Sequence, residues 1–159
     1  MTNTGPWTWH GWQKDLAAGI KKSLTETMFG PEPTEEEVKA MVAFLATLDH
    51  PPNPNKPSEA TKRGAALFCG KANRIRCHKG EEYTSEGIYE VGLEPDGSPY
   101  RLWNPPSPRG VSDRGPYLHD GRAKTLEEVL RKHHAPEKLG GEALTEQEGK
   151  DLIAFIRTL

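Results

Sequence analysis

Apolar residues in the first thirty positions recur at intervals that predict a helix. A stripe with a spacing of four residues runs through residues 12–29, and it consists of Leu16, Ile20, Leu24 and Met28. Such a stripe is typical of an amphipathic helix that buries one face. Gly30 and Pro31 end this helix, because both residue types disfavour helical backbone.

A second helix is predicted after Thr34. Thr34 and Glu37 have the spacing of a capping box, which satisfies free N–H groups at a helix start. Apolar residues then repeat at helical intervals, at Val38, Met41, Val42, Leu45 and Leu48. The segment 51–57 holds four prolines, which remove hydrogen-bond donors, so it predicts a linker and a domain boundary.

Beyond the linker, the pattern predicts three more helices and no convincing strand, so the fold class is all-α. Alanine-rich residues 58–68 can form the first helix, and residues 69–78 form a polar loop. Residues 80–121 hold Pro and Gly at short intervals, which is unusual in a compact domain unless the segment wraps around something. The last two helices have capping signatures, at Thr125 with Glu128 and at Thr145 with Glu148.

The final helix repeats an earlier part of the chain. Residues 145–159 match residues 34–48 along their whole length, and both copies begin with a capping signature. We therefore interpret residues 1–50 as a helical remnant that resembles the end of a preceding domain. Residues 58–159 form one complete domain in this interpretation, and the front of the first domain lies outside this chain.

Composition narrows the class of protein. Hydrophobic residues make up 34% of the chain, beside 14 Pro and 16 Gly, which is lean for a core closed by side chains alone. A large apolar cofactor would make up the shortfall, although long loops would give the same composition.

The net charge is −2 without any block of like charge, so neither nucleic acid nor an anionic membrane is indicated as a partner. No apolar run reaches the roughly 18 residues of a membrane span, and residues 1–6 lack the features of a signal peptide.

Cys69 and Cys77 are the only cysteines, and His78 follows the second. A Cys-His pair with another cysteine upstream is the outline of a c-type haem site, in which thioethers hold the porphyrin and the imidazole binds iron. The usual motif has two residues between the cysteines, whereas seven separate them here, and Arg74 stands where the first cysteine is expected. On spacing alone, a disulfide or a zinc site completed by histidines stays open.

Several blocks of the chain match a known family in order. The most specific block reads Pro-Tyr-Leu-His-Asp-Gly-Arg from Pro116 onward, and the others are Arg63–Phe68, Cys77–Gly80, Tyr89–Gly92, Arg109–Val111 and Leu144–Leu159. In these blocks residues 57–159 resemble the carboxy-terminal haem domain of the bacterial di-haem cytochrome c peroxidase superfamily. Residues 7–54 similarly resemble the end of that family's first haem domain. The resemblance implies a class I cytochrome c-like helical domain wrapped around one covalent haem, with an N-terminal helical pair.

The resemblance also implies how the haem c is held. Cys77 attaches the haem, and His78 is the proximal iron ligand. The position of the first thioether is occupied by Arg74, so either Cys69 reaches the haem across a longer loop or Cys77 alone attaches it. We expect the longer loop, because Cys69 is the only other thiol.

The second axial ligand in the family lies on the helix after the Pro116 block, where methionine is common. That position is His133 here, and Leu126, Leu130 and His133 fall on one face at helical spacing. The neighbouring His134 is the alternative ligand. A bis-histidine iron is therefore expected, with a lower reduction potential than a histidine–methionine pair.

Four further residues complete the expected haem pocket. The resemblance places His119 near the haem without ligation. Tyr117, Arg109 and Arg122 could reach haem propionates, although loop ion pairs account for the arginines equally well. His10 is expected to be a surface or packing residue, and the apolar stripes that hold Met28 and Met41 predict core methionines.

Three functions remain open at this stage. The first is electron transfer between this haem and another haem domain or cytochrome, because two axial ligands leave no open iron position. The second is a peroxidase-type haem enzyme, or the domain that feeds electrons to one. The third is a haem-free zinc or disulfide module. Covalent haem attachment implies an extracytoplasmic location such as the periplasm, and hence a processed or truncated chain, and the oligomeric state stays open.

Overall fold

Helices dominate the computed structural model, which describes residues 4–50 and 52–159. In chain order they are α1 (Leu16–Lys22), α2 (Glu35–Thr47), α3 (Glu59–Cys69), α4 (Leu126–Glu128) and α5 (Glu146–Ile156). Two antiparallel strands, β1 (Tyr89–Glu90) and β2 (Leu102–Trp103), form a short ribbon that the sequence did not predict. The predicted all-α class is confirmed, because this ribbon adds only two residues per strand.

The predicted capping residues begin their helices. The Thr34 and Thr145 side chains each accept a hydrogen bond from a backbone N–H three residues on, and the glutamate at that position returns one. Ser58 forms the same reciprocal box at the start of α3. Thr125 caps α4 by accepting from the Glu128 N–H at 3.1 Å. These caps satisfy N–H groups that have no partner inside a helix.

The segments that precede the two repeated helices, residues 7–27 and 117–133, are themselves two copies of one loop and helix in three dimensions. The loop before α1 closes through paired backbone hydrogen bonds between Trp7 and Gln13, and the loop before α4 closes through Tyr117 and Ala123 in the same way. Each loop contains a non-glycine residue with positive φ at the equivalent position. In both copies an α-helix then continues into a π-helical turn, Ser23–Thr27 after α1 and Val129–His133 after α4.

The core lies where α3 packs against α5. Its buried side chains include Phe68, Ala72, Leu126, Leu130, Leu152, Ile153 and Ile156. Close approach of the helices requires Gly64, because a Cβ there would lie 2.0 Å from the Asp151 carbonyl oxygen. The Arg63 guanidinium also pairs with the buried Asp151 carboxylate through two hydrogen bonds of 2.6 and 3.0 Å. These two hydrogen bonds join α3 and α5 beside the core.

The helix predicted over residues 12–29 is shorter than expected. It begins at Leu16, because residues 7–13 form the closed loop, and its last part is the π turn Ser23–Thr27. A π turn holds more residues than an α turn, so side chains beyond it leave the original stripe. Met28 is accordingly 69% exposed instead of buried, whereas Met41 is partly buried in α2.

Within the described residues, no helix combines the length and apolarity that a bilayer span requires.

Candidate functional site

A cavity of about 750 Å³ lies between the helical core and the irregular section of the chain. The core contributes apolar side chains to one wall, among them Phe68, Leu126, Leu130 and Ile156. The irregular section also lines the cavity, with Leu93, Trp103, Pro105 and Val111. A mostly apolar cavity of this size is typical of a site for a large ligand or cofactor. The irregular section therefore wraps around a space, as its composition indicated.

His78 stands on the wall of this cavity with a fixed ring orientation. A short 3₁₀ turn, Arg74–Arg76, precedes it, and the His78 N–H donates to the Arg74 carbonyl at 2.9 Å. The ring Nδ1 donates to the Tyr83 carbonyl at 3.0 Å, so Nε2 carries the lone pair in the neutral ring. Burial lowers the pKa of His78 to about 4, although the Tyr83 carbonyl opposes this shift. The imidazole is therefore neutral at neutral pH, as a metal ligand must be.

His134 also lines the cavity, whereas His133 does not. The π turn explains the difference, because the His134 N–H bonds the carbonyl of Val129, five residues back, at 2.7 Å. Because a π turn contains more residues than an α turn, the residue on the same side as Leu130 one turn later is His134 and not His133. Burial lowers the pKa of His134 to about 3, and the charge of Arg74 acts in the same direction. Regular α-helical spacing from Leu126 and Leu130 would instead select His133, which is the residue predicted from the sequence.

The two cysteines lie in different surroundings. Cys77 lines the cavity, and burial raises the pKa of its thiol. Cys69 ends α3 and is exposed, and it does not belong to the cavity wall. Both thiols are free, so the structure does not contain the disulfide that spacing alone allowed. Among the described residues, no three His, Cys, Asp or Glu side chains come together as a metal site.

Arg74 is a site residue to which sequence reasoning assigned no role. Its side chain is 5% exposed and lines the cavity, and its guanidinium donates to the His134 carbonyl. Burial lowers the pKa of Arg74 to about 10, which still leaves it charged at neutral pH. Its position in the sequence could have identified it as a site residue, because Arg74 stands where the first haem-attachment cysteine was expected.

The remaining expected pocket residues divide into two pairs. Tyr117 and His119 line the cavity, and the Tyr117 hydroxyl donates to the Ser112 carbonyl at 3.2 Å. Arg109 and Arg122 are absent from the cavity wall and bind loop groups. Arg109 donates to the Glu81 carbonyl at 3.0 Å, and Arg122 pairs with the Asp120 carboxylate at 2.6 Å. The loop ion-pair explanation therefore fits both arginines, since the Arg109 Nε also lies 3.9 Å from the Glu82 carboxylate.

Aromatic rings connect the cavity wall with the surface. The ring centroids of His119 and Trp103 are 4.3 Å apart, and those of Trp103 and His10 are 4.4 Å apart. From His10 the contacts continue to Tyr100 at 5.4 Å and to Trp12 at 4.9 Å. The last two rings are each 53% exposed. His10 is thus a packing residue, and its Nδ1 donates to the Leu102 carbonyl at 2.8 Å.

Protonation of His78 and His134 should oppose folding. Both folded-state pKa values lie below the ordinary value of 6.5, so at lower pH the unfolded chain binds protons that the folded chain does not. We expect the free energy of unfolding of the cofactor-free chain to be highest above about pH 6.5 and to fall steadily toward about pH 4. Urea titrations across this range check the slope. His134→Phe should reduce it, and an equal slope in that variant would contradict the prediction.

Taken together, the fold and the site define a helical domain built around a large apolar cavity, with the neutral imidazoles of His78 and His134 among the side chains that line it. No protein-family model matches the chain. It is 32% identical to the cytochrome-c peroxidase IdrP1 of Denitromonas iodatirespirans, over 64% of this chain and 40% of that protein. It is 33% identical to the methylamine utilization protein MauG of Methylorubrum extorquens, over 62% of this chain and 34% of that protein.

A solved structure has the same fold. It is the crystal structure of a MauG-like protein associated with microbial copper homeostasis, with a TM-score of 0.75 and 22% identity over 99% of this chain and 70% of that chain. The relatives confirm the resemblance to the di-haem cytochrome c peroxidase superfamily that was seen in the sequence. It spans 34–40% of the length of the two curated relatives named above.

Proposed function

We propose that this chain is an electron-transfer domain that holds one c-type haem in its cavity. The observation that carries the proposal is the Cys77-His78 pair, which presents a thiol and an oriented neutral imidazole on one wall of a large apolar cavity. When bound, a haem supplies an iron that accepts and releases one electron. The apolar walls exclude water from such a group and thereby favour a defined reduction potential.

His78 is the proposed proximal ligand. The Tyr83 carbonyl accepts a hydrogen bond from the Nδ1–H of His78. This bond fixes the ring plane and leaves the lone pair on Nε2, where it can bind a metal. Cys77 provides the thioether, because it precedes His78 in the chain and also lines the cavity. The exposed position of Cys69 at the end of α3 favours attachment through Cys77 alone.

A pyridine haemochrome spectrum tests this arrangement on protein made with haem-maturation machinery. We expect a reduced α band shifted to the red of the band of two thioethers, since one vinyl group stays free. Cys69→Ser should leave the band unchanged, whereas Cys77→Ser should release the haem under denaturing extraction. A two-thioether band that Cys69→Ser shifts would show that Cys69 is recruited, and a protein without any haem band would contradict the proposed function.

His134 is the proposed second ligand, because it lines the cavity and His133 does not. His134→Ala should convert a low-spin ferric spectrum into a high-spin one, since the sixth ligand is lost. His133→Ala is the matched control and should keep the low-spin spectrum. Ferric absorption and electron paramagnetic resonance spectra distinguish these outcomes. A high-spin spectrum in His133→Ala alone would assign the ligand to His133.

Two axial imidazoles favour electron transfer over catalysis, because they leave no iron position for a substrate. The aromatic contacts from His119 to Trp12 offer an efficient route for an electron between cavity and surface. The proposed partner is another haem domain or a cytochrome, and the proposed location is extracytoplasmic, where haem is attached to cysteine. Peroxide consumption by this chain should be no faster than by free haem; faster turnover would indicate the peroxidase function instead.

A further inference from the structure

The guanidinium of Arg74 is a buried charge that makes no ion pair within 4 Å among the described residues, and the carboxylate of Glu137 acts on it only from a longer distance. The side chain is 5% exposed, and none of the ion pairs among the described residues includes it. Its hydrogen bond goes to the backbone carbonyl of His134, and its Nε has no partner within the described residues. Burying a charge without an ion pair lowers the free energy of unfolding, so Arg74 is better explained by a role other than stability.

Arg74 joins the two segments that carry the proposed iron ligands. It begins the 3₁₀ turn before Cys77 and His78, and its carbonyl accepts the His78 N–H at 2.9 Å. Its side chain reaches along the cavity wall to His134, the residue that follows the π turn. One residue therefore contacts His78 through its backbone and His134 through its side chain.

From this geometry we infer that Arg74 is a positioning residue that holds His134 on the cavity wall and places a fixed positive charge beside the redox centre. The inference rests on the proposed function. At the position where the usual haem-attachment motif has its first cysteine, this chain thus has an arginine that connects the segment of Cys77 and His78 with the proposed second ligand, His134. Ferric haem carries one more positive charge than ferrous haem, so a nearby cation favours the ferrous state and raises the reduction potential.

Substitutions of Arg74 separate its charge from its hydrogen bond. Arg74→Met removes both, so we expect a lower midpoint potential and a displacement of the distal ligand by cyanide that is faster by about tenfold or more, because a charged hydrogen bond is lost. Arg74→Lys keeps the charge, so its potential should stay near that of the unchanged protein while cyanide displacement still accelerates. Arg131→Met is the matched control, because it removes an exposed charge from the same π turn, and it should change neither quantity.

Arg74→Cys provides a further test, because it creates the ordinary spacing of two residues before Cys77 and His78. We expect this variant to gain a second thioether in the haemochrome spectrum and still to show the lower potential and the faster cyanide displacement of Arg74→Met. A purely structural role would lower the melting temperature and leave the potential unchanged.

The inference and the proposed function fail in different ways. Loss of the low-spin spectrum in His134→Ala together with unaltered potential and cyanide kinetics in Arg74→Met would overturn only the role of Arg74. If Arg74→Met does not fold, Arg74→Lys decides alone, and unaltered cyanide kinetics in that variant would overturn the inference. A low-spin spectrum that persists in His134→Ala would overturn the ligand assignment itself.

Discussion

Replacing His78 by alanine should leave the protein unable to form a low-spin haem centre. The structure directs the lone pair of His78 Nε2 by binding its Nδ1 proton to the Tyr83 carbonyl, and alanine offers no donor atom in its place. Since even the partners that orient a metal ligand are worth about 10–100-fold in affinity, we expect the fraction of six-coordinate, low-spin iron to fall at least about tenfold. Ferric absorption and electron paramagnetic resonance spectra measure this loss.

His50→Ala is the control for this experiment. His50 is partly buried, as His78 is, but it does not belong to the cavity wall. Its replacement should keep the haem content and the spectrum of the unchanged protein. Full occupancy with a low-spin spectrum in His78→Ala would contradict the assignment of the proximal ligand, whereas equal losses in both variants would indicate a general effect on folding.

A methyl group at Gly64 should destabilise the whole helical core. The Cβ of alanine would lie 2.0 Å from the Asp151 carbonyl oxygen and 2.7 Å from the Phe155 Cβ, so α3 and α5 must move apart. Overpacking of this kind costs about 3 kcal/mol or more when backbone must shift. For a chain of this size the melting temperature should fall by roughly 6–12 °C. Thermal unfolding followed by far-ultraviolet circular dichroism measures the change.

The same helix pair contains a matched glycine. Gly149 lies in α5, and a Cβ built there meets no atom within 4 Å. Gly149→Ala should therefore raise stability by up to about 1 kcal/mol, because alanine favours helix. A similar loss of stability in both variants would show that helix packing at Gly64 is not the cause.

The predicted helices and their starts follow from local chemistry. Thr34 and Thr145 cap their helices in the structure, because a hydroxyl and a glutamate three residues on are sufficient to satisfy the first N–H groups. The match between residues 34–48 and residues 145–159 was likewise visible in the sequence, and in the structure the segments that precede them share a closed loop and a π turn. The sequence also predicted that Cys77 and His78 lie together at the site, because residues adjacent in the chain remain adjacent in the fold.

Residues that meet across the fold could not be assigned in the same way. A helical stripe that ends in two histidines does not reveal whether the last turn has α or π spacing, and this choice places His134 instead of His133 on the cavity wall. The spacing of Cys69 and Cys77 likewise gave no information that α3 would leave Cys69 exposed.

Local propensity, capping and chain order are properties of short segments, so residue types alone specify the five helices, the repeat and the Cys77-His78 pair. The cavity, the exposure of Cys69 and the contact between Arg74 and His134 depend on how α3, α5 and the irregular section pack, because each joins residues far apart in the chain. Burial then changes what those residues can do: it keeps His78 and His134 neutral and leaves Arg74 as a charge inside an apolar wall.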